Sequence, residues 1–177
     1  MAIVKHIKSR NANYSDALNY LIFQHDESTG KMILDEFNRP LRRDELYVDG
    51  LNCNPDTFDV ECYECNEHFK KNRSRSEIKS HHYIISYDPT DAIECNLTGE
   101  KAQALSLDLA QKIFPGYQAL IVTHTDGHNG SGNIHTHIVI NSVRKEAVKR
   151  QSYMDKPHEE IAGYKHRSTN KFLPSHL

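Results

Sequence analysis

His124-Thr125-Asp126-Gly127-His128-Asn129-Gly130-Ser131-Gly132-Asn133-Ile134-His135-Thr136-His137-Ile138-Val139-Ile140-Asn141 links two runs of β-forming residues through a glycine, asparagine and serine loop. The first run covers Ala119 to His124 and the second Ile134 to Val143. Runs bounded by turn residues in this way are strands, and so short a connection cannot make the crossover that a parallel pair requires. The two strands must pair antiparallel. Side chains alternate along a strand. His135, His137 and Val139 therefore share one face, and Ile134, Thr136, Ile138 and Ile140 fill the other. Leu120, Val122 and His124 share a face of the preceding strand, which brings His124 across from the His135/His137 pair.

Three neutral imidazoles on an otherwise apolar face can hold a divalent transition metal and leave coordination positions open. A single strand histidine is usually a satisfied core or surface residue. Three together differ, because an apolar face has no reason to carry three desolvated imidazoles unless they bind something. Asp126 can hydrogen-bond the outer nitrogen of a ligating histidine and fix its tautomer. His128, within the loop, reads as a solvated residue or an alternative ligand.

Outward from this stretch, residues 2–8 alternate as a strand, and Asn11-Ala12-Asn13 leads into a helix from about Tyr14 to Phe23. Its apolar stripe is Tyr14, Ala17, Leu18, Leu21 and Ile22. A turn at 26–30 precedes short strands and loops over 31–52. Asn54-Pro55-Asp56 starts a second helix running to about Lys71. His81 to Tyr87 is a strand closed by a turn at Asp88-Pro89. Thr98 opens a further helix with Ala102, Leu105, Leu109 and Ile113 on one face, stopped by Pro115-Gly116. The expected class is α+β, a central, mainly antiparallel sheet with flanking helices. Residues 1–150 form one domain, and 151–177 extend it and end as if cut from a longer protein.

With 177 residues, 37% hydrophobic and 26% charged, the chain is long enough to bury a real core. It has no apolar run of membrane-spanning length and no signal-peptide core, so a cytoplasmic protein without membrane insertion is expected. A net charge of -2 weighs against a broad basic face that coats duplex DNA. Local basic runs remain as candidates for nucleic-acid backbone contacts: Lys70, Lys71, Arg73 and Arg75, then Arg144, Lys145, Lys149 and Arg150. Cys62-Tyr63-Glu64-Cys65 followed by His68 has zinc-like spacing. Phe58, Cys62, Cys65 and Phe69, however, recur at the spacing of one helical face, which makes the cysteines core residues.

His135-Thr136-His137 in a strand, preceded by His124-Thr125-Asp126, resembles motif III of the relaxases of mobilisation-nuclease type, members of the HUH endonucleases. Ala17-Leu18-Asn19-Tyr20-Leu21 resembles their motif I, and the similarity runs over roughly residues 1–145. Two departures stand out: Thr136 occupies a position usually held by a larger hydrophobe, and the stretch from Asp126 to His135 is long. The resemblance implies a bacterial enzyme that nicks single-stranded DNA at a transfer origin (oriT) or its hairpin. Tyr20 would be the nucleophile, forming a 5′-phosphotyrosine that is later religated, with Asp126 as a catalytic partner. His124, His135 and His137 would hold Mn²⁺ or Mg²⁺, although imidazole ligation alone favours Mn²⁺, Zn²⁺ or Cu²⁺. Accessory relaxosome and coupling proteins are implied as partners. The residues support Tyr20 independently. It lies about 200° around the helix from Leu18, whereas Tyr14 belongs to the packed stripe. The alternatives are a rolling-circle initiator or transposase of the same superfamily, a phosphoesterase using an activated water, or a zinc-stabilised DNA-binding module built on Cys53, Cys62, Cys65 and His68.

Overall fold

A computed structural model describes residues 2–26, 28–126 and 132–166. The elements run β1 (Ile3–Ser9), α1 (Tyr14–Ile22), β2 (Leu46–Leu51), a 3-10 turn (Pro55–Thr57) leading into α2 (Phe58–His68), β3 (Ser80–Ser86), α3 (Pro89–Glu94), α4 (Gly99–Ile113), β4 (Tyr117–His124) and β5 (His135–Arg144). The strands form one five-stranded sheet in the order β1-β3-β5-β4-β2, and every neighbouring pair is antiparallel. The expected α+β class holds. His128 and the rest of 127–131 lie outside the described residues, as do 167–177 with the chain's last segment. Among the described residues, no helix is long and apolar enough to cross a membrane.

The two faces of the sheet carry separate cores, as strand alternation requires. Ile121, Ile138, Ile140, Tyr83 and Ile85 pack under α4 with Ala110 and Phe114. Leu120, Val122 and Val139 pack on the other face against Tyr14 and Leu21 of α1 and Phe58 and Cys62 of α2. Each fully buried large side chain contributes about 1.5–3 kcal/mol.

The helices start where side-chain caps permit. Asn13 accepts the Ser15 N–H ahead of α1, Asn54 accepts that of Asp56, and Thr98 accepts that of Lys101. Two expectations fail. Asp88-Pro89 opens the short helix α3 rather than closing a turn: proline suits a first helical turn, and Asp88 Oδ1 accepts the Thr90 N–H at 2.9 Å. In α4, Leu105 is exposed, and the buried stripe is Gly99, Ala102, Gln103, Ser106 and Ala110. Small residues let this helix approach the sheet closely. A Cβ on Gly99 would run into the Tyr47 ring.

Polar groups inside both cores are organised. Beneath α4, Thr123 Oγ1 donates to Gln103 Oε1 at 2.7 Å and lies 2.7 Å from Thr136 Oγ1, while Gln103 Nε2 donates to Asp49. Thr136 thus takes the place of a hydrophobe because its hydroxyl completes this chain. Under α1 and α2, the Tyr14 hydroxyl sits 2.8 Å from the Lys79 carbonyl and 3.1 Å from Asn141 Oδ1, and it accepts from Asn66 Nδ2 at 2.9 Å. Tyr14 therefore anchors the first turn of α1.

A second group of histidines lies on the α4 side. His6 Nε2 is 3.0 Å from His81 Nδ1, and the His81 and His166 rings meet edge to face at 4.7 Å. Burial pushes His81 down to about 4 and His166 down to about 3. Such groups stay neutral in the folded chain while the unfolded chain takes up their protons below about 6.5. Their stabilising effect is complete above that pH and is lost as pH falls toward the depressed folded value. For His81 alone the loss by pH 4 is on the order of 3 kcal/mol. Thermal melts between pH 7 and 4 should show a steep fall in Tm that His81→Gln flattens, and an unchanged slope in that variant would refute the assignment.

Candidate metal centre and nucleophile helix

β4 and β5 pair in register with His124 opposite His135 and Val122 opposite His137. The three rings meet on the α1/α2 face, with centroids 5.0–5.1 Å apart and one ligand nitrogen from each within 4.8 Å of the others. Among the described residues this is the one group of three or more His, Cys, Asp or Glu side chains arranged to hold a metal ion.

The hydrogen bonds around the rings decide which nitrogens face inward. His124 Nε2 lies 2.8 Å from the Leu21 carbonyl, and His135 Nδ1 lies 3.1 Å from the Asn133 carbonyl. A carbonyl oxygen only accepts, so both of these outer nitrogens carry the proton. In the neutral rings the inner nitrogens, His124 Nδ1 and His135 Nε2, then present bare lone pairs to each other at 3.3 Å. Two lone pairs held face to face repel unless a cation sits beside them. The outer nitrogen of His137, Nδ1, is 2.8 Å from His82 Nε2 on β3, which leaves His137 Nε2 for the site. Burial lowers His124 to about 4, and burial together with the neighbouring His124 drives His137 well below the ordinary range. Both stay neutral near pH 7, as metal ligation requires. The donor set fits a divalent transition cation.

The expected role of Asp126 needs correction. The outer nitrogens are taken by Leu21, Asn133 and His82, while Asp126 Oδ2 is tied to Arg43 Nη1 at 3.1 Å. His82 carried no signal in the sequence beyond belonging to a strand. Only the β3–β5 register, which aligns Ile84 with His137, brings it behind the site.

α1 is pinned at both ends, by Tyr14 in the polar core and by the Leu21 carbonyl on His124. Tyr20, next to Leu21, is 47% exposed, whereas Tyr14 is 5% exposed. Among the described residues the Tyr20 hydroxyl has no hydrogen-bond partner. Its ring faces that of His25 with centroids 5.7 Å apart. His25 Nδ1 is 3.0 Å from the Phe23 carbonyl, so Nδ1 bears the proton and Nε2 is left to accept one.

The expected basic contacts fare less well. Arg144 is buried, with its guanidinium stacked over Tyr117 and bonded to the Pro115 carbonyl, and cannot serve as a surface contact. Lys145 donates to the Asn52 carbonyl and pairs with Glu61; Arg150 is held by Glu160, and Arg73 by Glu67. Lys70, Lys71, Arg75 and Lys149 are exposed. Both runs flank the far end of β5, where Asn72 bonds Ser142. Seven residues of strand separate Ser142 from His135, about 23 Å at 3.3 Å per residue. Charge runs are visible in a sequence, but their distance from a site is not. Nor do the zinc candidates assemble: Cys62 is fully buried in the core, Cys53 donates to the Ala119 carbonyl, and His68 packs on Phe69.

The family model for the MobA/VirD2-like relaxase nuclease domain matches residues 33–166, most of the chain and all three site histidines. This chain belongs to that relaxase family. Two relatives from Staphylococcus aureus, each called Protein rlx, are 35% identical over 105 residues and 33% identical over 101. These stretches cover 57% and 55% of this chain but only 28% and 27% of the relatives. The matched stretches thus span little more than a quarter of the length of these curated relatives. No solved structure matches. The family match begins after Tyr20, so the case for that residue rests on the resemblance of its helix to motif I and on its place next to Leu21, whose carbonyl meets His124.

Proposed function

We propose that this relaxase domain nicks one strand of DNA at a transfer origin by attack of Tyr20, assisted by a divalent metal, Mn²⁺ or Mg²⁺, at His124, His135 and His137. The observation that carries the proposal is the pair of lone pairs held 3.3 Å apart with their outer nitrogens fixed, docked through Leu21 onto the helix that bears Tyr20. A divalent cation bound there supplies Lewis acidity to the non-bridging phosphate oxygens.

Tyrosine is a weak nucleophile near pH 7, so its proton needs an acceptor as attack begins. His25, with Nε2 open beside the Tyr20 ring, is better placed for this than Asp126, whose carboxylate is occupied by Arg43. The Tyr20 oxygen bonds to phosphorus, the bond to the 3′ oxygen breaks, and that oxygen leaves as a 3′ hydroxyl after taking up a proton. The 5′ end stays joined to Tyr20, and reversal of the same steps reseals the strand. The hairpin and the accessory and coupling partners are part of the same proposal.

The test is a denaturing gel of the domain incubated with Mn²⁺ and labelled single strands that tile the DNA flanking its gene. A protein band shifted by covalent DNA is expected. Cleavage without an adduct would transfer the chemistry to an activated water and remove Tyr20 from it. Tyr14→Phe serves as the control. It should cost about 1–3 kcal/mol in thermal or denaturant unfolding, because Asn66 and the Lys79 carbonyl lose a buried partner, and should leave adduct formation by the folded protein unchanged.

A further inference from the structure

We propose that Arg43 is a phosphate-binding residue of this site, receiving the DNA backbone phosphate beside the histidine triad. The inference rests on the nuclease proposal but has its own readout.

The chain around Arg43 is fastened to the end of the nucleophile helix. Phe23 and Arg42 form an antiparallel bridge, the Gln24 N–H donates to the Leu41 carbonyl at 2.8 Å, and the Arg43 N–H donates to the Ile22 carbonyl at 3.0 Å. Ile22 follows Leu21, whose carbonyl holds His124. Arg43 is thereby set between the last turn of α1 and the end of β4. Its side chain is only 20% exposed, and Asp126, two residues beyond His124, engages it through Nη1 alone. Nε is shielded from solvent and lacks a hydrogen-bond partner. The guanidinium charge reaches the triad, where it disfavours the charged forms of His124 and His137.

A shielded guanidinium N–H without an acceptor is costly, and arginine's planar fork suits two acceptors at once. One carboxylate does not satisfy it. A phosphodiester in the site would supply the missing acceptor, with Asp126 holding the fork in place while the strand docks. The basic runs lie at the far end of β5, whereas Arg43 acts directly on His124 and His137.

The experiment measures binding of a fluorescein-labelled oligothymidylate by anisotropy across a salt series in metal-free buffer. It compares the parent domain with Arg43→Ala, Arg43→Lys and the Arg43→Ala/Asp126→Ala pair. Loss of one phosphate contact to single-stranded DNA should reduce the slope of log K against log salt by about 0.7, which is about fivefold in affinity at 0.1 M salt. Arg43→Lys should restore the slope. The paired variant removes one cation and one anion, so a pure net-charge effect would leave its slope at the parent value, whereas loss of the contact still lowers it. A parent slope in folded Arg43→Ala, or in the paired variant, would overturn the assignment. Should Arg43→Ala fail to fold, Arg43→Gln makes the same comparison. No cleavage is needed for this measurement. A domain that shows the slope change yet forms no adduct sinks the nuclease proposal alone; one that forms the adduct without the slope change sinks Arg43 alone.

Discussion

Tyr20→Phe is expected to abolish the covalent protein–DNA band, a loss of at least about 10⁴-fold in adduct formation, because the substitution deletes the only atom that can bond to phosphorus. Little else should change. Tyr20 is about half exposed and among the described residues its hydroxyl has no hydrogen-bond partner, so the unfolding free energy should stay within about 0.5 kcal/mol of the parent. The metal site should also keep its affinity, since Leu21 contacts His124 through its carbonyl and the backbone of α1 is untouched. Metal titration and a thermal melt beside the gel therefore separate loss of a nucleophile from loss of structure. If Tyr20→Phe retained the adduct while Tyr14→Phe lost it, the assignment of the two tyrosines would be reversed. The burial of Tyr14 beneath α2 argues strongly against that outcome.

His135→Ala should lower metal affinity and nicking together, the former by more than about 100-fold because a first ligand of three is removed. His135 is the mildest of the three to delete. It is half-buried, and its outer bond goes to the Asn133 carbonyl just ahead of β5. Chelation of the parent should act likewise, stopping cleavage with the fold nearly intact, because the core under α4 lies on the opposite face of the sheet from the triad and neither core counts the three histidines among its members. A chain that unfolded on chelation would instead carry a structural metal. His82→Ala should give a smaller effect of about 10–100-fold in metal affinity, since His82 only holds the outer nitrogen of His137. Isothermal titration with Mn²⁺ reads all of these directly. Unchanged affinity in His135→Ala would remove the triad from the mechanism.

How much of this was legible beforehand follows from which interactions are local. Strand alternation and the short link between Ala119–His124 and Ile134–Val143 were enough to bring His124 across from the His135/His137 pair, because the pleat puts all three on one face; the register itself, His124 opposite His135, came from the structure. The apolar stripe of α1 likewise separated Tyr14 from Tyr20. Periodicity alone misassigned Leu105 in α4, since which stripe faces the sheet depends on how close Gly99 and Ala102 allow the helix to come. What only the tertiary structure decided lies between segments distant in the chain: His82 behind His137, Arg43 on Asp126, and the Leu21 carbonyl on His124. The place of the basic runs at the far end of β5, and the burial of Arg144 among them, belong with these. Charge is a property of a residue, but its distance from a site is set by strand lengths and register. By itself the sequence determined the strand pair, the three inward histidines and the helix carrying the tyrosine, because periodicity and short links act within one segment. The outer partners of the rings and the cation beside them were settled by packing across the sheet, where contact depends on register and not on neighbours in sequence.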